Sequence, residues 1–295
     1  MHAVVSRASL LPVAALFFAH LSCLVSSSPF ADRGPDIEAG ALSPRPPHFV
    51  RSYAAAAGER LKDSDADGIP DDLEDELAHA YFPFYSLSAH DRCPLHGVLY
   101  RLSPHPRSPD KILIRYDVLY QHDCGLRGHV GDSELFSVLA DPSVPAPQGI
   151  LAVRTVAHHG TLCESVMTCG RLPGCKSCSW ALRDGQRYPV VFSSANKHGS
   201  YLSEEICSFS FVCDFGGCSR QAVAAAPPMT NAGEPGNSMV ADLTTSGFVR
   251  PELGWTEPQL QRFDPWGEGR FGKSGHMAKD LTDKLYEIDP RSCER

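Results

Sequence analysis

Apolar and polar residues alternate most regularly over residues 112–120. Ile112, Ile114, Tyr116, Val118 and Tyr120 take one parity, and Leu113, Arg115, Asp117 and Leu119 take the other. Successive side chains of a strand point to opposite faces, so this period of two predicts a strand with one face more apolar. Gly97–Leu102, Glu134–Ala140, Ile150–Ala157, Pro189–Ser193 and Ser208–Cys213 are further strand candidates, separated by Gly, Pro and Asp. Before Pro83 the period changes. Leu73, Leu77 and Tyr81 recur every four residues, which places them on one face of a helix near Asp71–Tyr81. Ser52 can cap a shorter helix through Ala54–Ala57, and a last helix is expected near His276–Tyr286. Ser219–Gly254 reads as loop, with Pro227-Pro228 followed by the run Asn231-Ala-Gly-Glu-Pro-Gly. The pattern predicts a mainly β protein. Its strand-rich core spans 83–218, preceded by a helical segment over 52–82. A loop-rich C-terminal extension, 219–295, packs on that core.

The first residues alter the picture of where such a domain works. Arg7 is the only charge before residue 32, and an apolar run from Leu10 to Phe18 follows it. Small residues then lead to a cut near Ser28, so residues 1–28 read as a secretory signal peptide. The run is too short to span a bilayer, which takes about 20 residues, and no later stretch predicts a transmembrane segment. Cys23 raises the question of a lipid anchor, but His20 stands where that signal wants an aliphatic residue. Residues 29–51, rich in Pro, Ala and Gly, read as a linker or propeptide.

Removing Cys23 with the signal leaves Cys93, Cys124, Cys163, Cys169, Cys175, Cys178, Cys207, Cys213, Cys218 and Cys293. An even count in an exported chain predicts disulfides, with connectivity open. Zinc is the competing use, since Cys175-x-x-Cys178 has ligand spacing, but no second pair follows at finger spacing. The formal charge is −8. That sign suits neither nucleic acid nor an anionic membrane surface, and is compatible with cation binding.

The sharpest motif is Asp63-Ser-Asp65-Ala-Asp67-Gly68-Ile69-Pro70-Asp71-Asp72-Leu73-Glu74. Calcium takes six to eight hard oxygens. The alternating Asp63, Asp65 and Asp67 can converge on one ion, and Gly68 permits the sharp turn. Ile69 offers its carbonyl, Asp71 binds directly or through water, and Glu74 binds with both oxygens. Pro70 occupies the position through which a paired loop bonds its partner, and there is no second copy. The loop resembles the single calcium loops of dockerin-like and thrombospondin-type-3-like repeats. The predicted arrangement is a helix–calcium loop–helix in which the ion is structural. The alternative is a solvated acidic turn capping the helix.

A second cluster runs from Asp117 to Glu134. Asp132 and Glu134 are two apart and share one face of an extended chain. His129 precedes them and Asp123 lies across the loop. Three carboxylates and one imidazole suit a divalent cation such as Mg²⁺, Mn²⁺, Ca²⁺ or Zn²⁺. The alternative is a polar strand end without metal. His158, His159 and His198 also fall at predicted strand ends, where they can line the same mouth or simply pack.

The heptad Gly128-His129-Val130-Gly131-Asp132-Ser133-Glu134 resembles the Gly/Asn-His-Val-Gly-Asp-Trp-Glu motif of the vacuolar-protein-sorting-sixty-two-like family. It is also similar to the Gly-His-Arg-His-Asp-Trp-Glu heptad of the necrosis- and ethylene-inducing-like proteins, which are secreted cytolysins. Arg187–Tyr201, with Pro189-Val-Val-Phe and Ser194-Ala-Asn-Lys-His198, resembles a further segment of the first family, and Ala157-His158-His159-Gly160 its strand end. Ser133 replaces the Trp of both heptads. Gly131 replaces the second His of the cytolysins, so the first family is the closer match and cytolysis is not implied. The resemblance covers roughly Tyr81–Cys218. It implies a β-sandwich holding a divalent cation at one end, with Asp123, His129, Asp132 and Glu134 as the ligands.

Three functions fit these features. The first is a secreted, disulfide-stabilised, cation-dependent binding protein that recognises a glycan or lipid headgroup. The second is a metal-dependent hydrolase, with the metal activating water. The third is a structural exported domain with no second metal. There is no Gly-x-Ser-x-Gly elbow and no His-Glu-x-x-His helix. Cysteines engaged in disulfides supply no thiol nucleophile, so no catalytic residue is assigned and the balance is against an enzyme. The glycine-rich Phe263-Asp-Pro-Trp266-Gly-Glu-Gly-Arg270 reads as a loop over the core or, alternatively, as a ligand contact.

Overall fold

The computed structural model describes residues 62–64, 67–126, 128, 130–155, 157, 165–168, 179–209, 217–218, 221–223 and 227–232. The signal, the linker and the helices expected near Ala54–Ala57 and His276–Tyr286 lie outside these residues.

One long helix opens the described chain, α1 at Asp71–Tyr81. Its first turn carries Asp71, Asp72 and Glu74, negative charges at the end where the helix dipole is positive. Leu77, Ala78 and Tyr81 are buried and Leu73 packs against them, as the four-residue spacing predicts.

Strands follow in chain order: β1 (Phe84–Ser88), β2 (Leu95–His105), β3 (Ser108–His122), β4 (Val130–Ala140), β5 (Ile150–Thr155), β6 (Ser165–Thr168), β7 (Trp180–Arg183), β8 (Gln186–Ser193) and β9 (Ser200–Tyr201). The short helix α2 (Glu204–Ser208) precedes β10 (Gln221–Val223) and β11 (Met229–Asn231). One sheet has the order β10-β1-β8-β7, with β9 also on β8, and the other β11-β2-β3-β4-β5-β6. Two pairings are parallel, β1 with β8 and β11 with β2; the others are antiparallel.

A single apolar cluster draws Tyr85, Tyr188 and Val191 from one sheet and Val98, Ile114, Tyr116, Val118 and Phe136 from the other, with Tyr81 from α1. This is a β-sandwich with a helix against it. Tyr116 and Phe136, cross-strand neighbours, stack with centroids 5.0 Å apart, and Phe82 meets Tyr116 edge-on at 5.1 Å. Buried tyrosines pin the helix through their polar ends: Tyr116 Oη donates to Ala78 O at 2.7 Å, and Tyr81 Oη to Asp141 O at 2.9 Å.

The structure differs from expectation in three places. Both faces of β3 are buried, because the second face has its own cluster of Leu113, Leu139, Leu151 and Ala152. Ser208, expected to begin a strand, ends α2. Ser203 caps that helix by accepting from Ile206 N at 3.3 Å, and this local start signal prevails. Within the stretch read as loop, β10 joins β1 and β11 joins β2, each three residues long and therefore too short to show a period.

Phe136 touches aromatic rings of both sheets, so Phe136→Ala is expected to lower unfolding free energy by about 3–5 kcal/mol. Urea denaturation checks this, and a loss below about 1 kcal/mol would show that the contact is not central.

Candidate functional site

Three connections converge at one end of the sandwich: residues 89–94 before β2, 123–126 after β3, and 194–199 between β8 and β9. The last organises the others. Ser194 N donates to Gly199 O at 3.1 Å and His198 N to Ser194 O at 2.9 Å, closing a tight loop. Asn196 and His198 sit at φ 63° and 58°, the left-handed region that costs most residues energy but that Asn and His tolerate better. In return the loop reaches both neighbours. Asn196 O accepts from Cys124 N at 3.0 Å, and Asn196 N donates to Asp91 Oδ2 at 3.3 Å. A Cys93–Cys124 disulfide ties the two neighbouring loops to each other. Cys207 and Cys218 form a second bridge, from α2 to Gly217-Cys218; Gly217 O accepts from Ala195 N at 2.9 Å. Cys163, Cys169, Cys175, Cys178, Cys213 and Cys293 lie outside the described residues.

His198 is fully buried and lies flat on Tyr120, with centroids 3.6 Å apart and planes 7° from parallel. Its Nδ1 is 2.7 Å from Asp132 Oδ2, and its Nε2 is 3.1 Å from Asp91 Oδ2. Beneath, Tyr120 Oη bonds Tyr85 Oη at 2.8 Å and Ser193 Oγ at 2.9 Å. Burial disfavours the imidazolium, but hydrogen bonds and charge from Asp132 and Asp91 outweigh it and raise the His198 pKa above its ordinary 6.5. Burial likewise works against the Asp91 carboxylate, yet the contact with His198, aided by Cys93 N and Asn196 N, holds its pKa below the usual 3.8.

The residues singled out in the sequence fall as follows. Asp132 faces His198, with its Oδ1 accepting from Ser133 N at 3.1 Å. Glu134 is half-buried two residues on, opposite Val118, so it shares the face of Asp132. Asp123 pairs with Lys197 Nζ and accepts from Gly125 N at 2.8 Å. His129, His158 and His159 lie outside the described residues. Gly128 of the heptad has a steric reason: a Cβ there would come 2.0 Å from Asp123 O. Asp91 and Lys197 were not foreseen. No spacing marks them, because Asp91 is 107 residues from His198.

One group of side chains here brings metal-ligand atoms close together. Ligand atoms of Asp91, Cys93 and His198 lie within 4.8 Å of one another. Cys93 is oxidised in its disulfide and offers no thiolate, which leaves Asp91 and His198 as donors. Asp132 on Nδ1 is the outer-shell carboxylate that metal-binding imidazoles commonly carry.

At the opposite end of the described chain the acidic loop is partly organised by its own backbone. Gly68 N donates to Asp63 Oδ2 at 3.1 Å, and Ile69 N to Asp67 Oδ1 at 2.8 Å. Gly68 adopts φ 95°, the turn its position in the motif requires. Ser64 N and Oγ donate to Asp71, which also meets Lys62 Nζ at 2.7 Å. Asp63 Oδ1 is shielded from solvent and accepts no hydrogen bond among the described residues. Glu74 is fully buried and accepts from Asn231 Nδ2 at 2.9 Å. Asp65 lies outside the described residues.

No protein-family model matches the chain, and no curated protein matches it. It is similar to a solved structure described as "NLPPya in complex with glucosamine", at 15% identity and a TM-score of 0.33, over 60% of this chain and 78% of that one. It is also similar to one described as "Toxin fold for microbial attack and plant defense", at 13% identity and a TM-score of 0.30, over 58% and 82%.

The two shifts set a pH window for the metal-free protein. A raised His pKa contributes stability that is complete below 6.5 and lost as pH rises through the folded value; the lowered Asp91 pKa contributes above 3.8 and is lost as pH falls through its folded value. In chelator, stability is expected to decline as pH rises past 6.5, and His198→Gln should remove that decline and cost about 3 kcal/mol at pH 6. Urea titrations across pH check it. An identical slope in the variant would show that another group carries it.

Proposed function

We propose that the chain is an exported, disulfide-stabilised binding protein that holds a divalent cation at the His198 end of the sandwich and uses it to engage an oxygen-rich ligand, a glycan or lipid headgroup. The single observation that carries this is the orientation of His198. Asp132 fixes its Nδ1 side while Nε2 and an Asp91 carboxylate oxygen face each other. A cation takes the place of the proton shared there, so its affinity falls as pH drops. Asp91 and His198 are the donors, and Glu134 adds a carboxylate on the same strand face. His129, adjoining Gly128 in the chain, is the fourth candidate. A cation with few protein donors keeps coordination positions for ligand oxygens.

Export is supported by the signal pattern and the two disulfides. No helix among the described residues is long and apolar enough to cross a membrane. The Asp63–Glu74 loop we assign to calcium. Its spacing, the turn at Gly68 and the solvent-shielded Asp63 Oδ1 support it, and Asp63, Asp65, Asp67, Ile69, Asp71 and Glu74 would hold the ion. Its part is structural: it neutralises crowded carboxylates at the start of α1.

The two sites are separable. Titration calorimetry of the wild type at pH 7.5 is expected to resolve two classes of divalent cation. Asp63→Asn should weaken one at least tenfold, and Asp91→Asn or His198→Ala the other. Binding to immobilised glycans and to phospholipid vesicles should be lost in chelator and in the Asp91 and His198 variants. A single class that only Asp63→Asn affects would refute the second site.

A further inference from the structure

We infer that Asn231 is a positioning residue for the calcium loop, and that calcium occupancy and the docking of β11 are thermodynamically coupled. The inference rests on the calcium reading of Asp63–Glu74. Glu74, last residue of that loop, is fully buried and gives its Oε2 to Asn231 Nδ2 at 2.9 Å, with Asn231 itself 6% exposed. The two are 157 residues apart in sequence. A twelfth-position glutamate ordinarily turns both oxygens to the ion, which demands a fixed carboxylate plane. Here one oxygen is engaged from outside the loop. Asn231 therefore sets the angle at which Oε1 meets the ion, as groups hydrogen-bonded to a metal ligand orient it.

The other half of the coupling is the weakness of β11. It is three residues long and sits at the sheet edge beside β2, with Asn231 opposite Tyr100. Val98 N donates to Pro228 O and Ala232 N to Tyr100 O, each at 2.9 Å. So short an edge strand has little stability of its own. Asn231 hydrogen-bonds it to α1 through Glu74. Tyr100 Oη, on the strand beside it, donates to Asp75 at 2.9 Å, so adjacent acidic residues of α1 hold adjacent strands. An ion that fixes Glu74 fixes the acceptor for Asn231. By linkage, whatever factor calcium adds to strand docking, the docked strand adds to calcium affinity.

The test uses the full chain. Calcium affinity is measured by calorimetry for the wild type, Asn231→Ala and Thr230→Ala, the last altering the same strand without touching Glu74. Limited proteolysis near residues 229–235 is followed with calcium and with chelator. Near-ultraviolet circular dichroism confirms that each variant is folded. The expected result is calcium binding weakened about tenfold in Asn231→Ala and little changed in Thr230→Ala. Cleavage in the wild type should accelerate severalfold on chelation, and cleavage in Asn231→Ala should be fast with or without calcium. A wild type that binds no calcium at this loop overturns the calcium reading and the coupling together. A wild type that binds calcium, with Asn231→Ala equally tight, with Thr230→Ala equally weakened, or with cleavage indifferent to calcium, overturns the coupling alone.

Discussion

A histidine ring with no solvent exposure, between two carboxylates, is the constraint on which this end of the sandwich depends. Stripping an ion of water costs several kcal/mol unless partners replace the lost hydration. Asp91 precedes β2, Asp132 lies on β4 and His198 follows β8, so the charge is compensated only when elements of both sheets close on it. The rest of that end holds them there. The left-handed backbone at Asn196 and His198 turns the ring inward, Cys93–Cys124 joins the loops on either side, and Tyr120 forms the floor. Tyr120 belongs at once to the apolar core and, through Tyr85 and Ser193, to a buried hydroxyl chain. Core packing and site geometry are thus not independent here.

The proton that Asp91 and Asp132 hold on His198 and the cation proposed beside it compete for one nitrogen. This gives the site its chemical character. A cation held by so few protein donors takes the rest of its ligands from water or a bound partner. The acidic loop before α1 differs in kind. Its own backbone N–H groups shape it around Asp63 and Asp67.

Local pattern made much of the fold legible. The alternation over 112–120 located β3, and the four-residue recurrence of Leu73, Leu77 and Tyr81 located α1. The parity of Asp132 and Glu134 placed both on one face, which the pairing with Tyr120 and Val118 bears out. Contacts between distant segments were not legible. Nothing near Asp91 or Asn231 signals a partner, because each meets its partner only after the strands pair. Lys197 opposite Asp123 is a similar case: a loop lysine looks solvated until the fold brings a carboxylate to it. Three-residue edge strands escaped as well, since they owe their conformation to the neighbour they join and not to their own sequence.

The most direct measurement is anomalous scattering from crystals grown with Mn²⁺ at pH 7.5. The proposed function predicts a peak bonded to His198 Nε2 and an Asp91 oxygen, at about 2.0–2.3 Å, with Asp132 still on Nδ1. A map with density in the Asp63–Glu74 loop alone, and with His198 still hydrogen-bonded to both carboxylates, would contradict it.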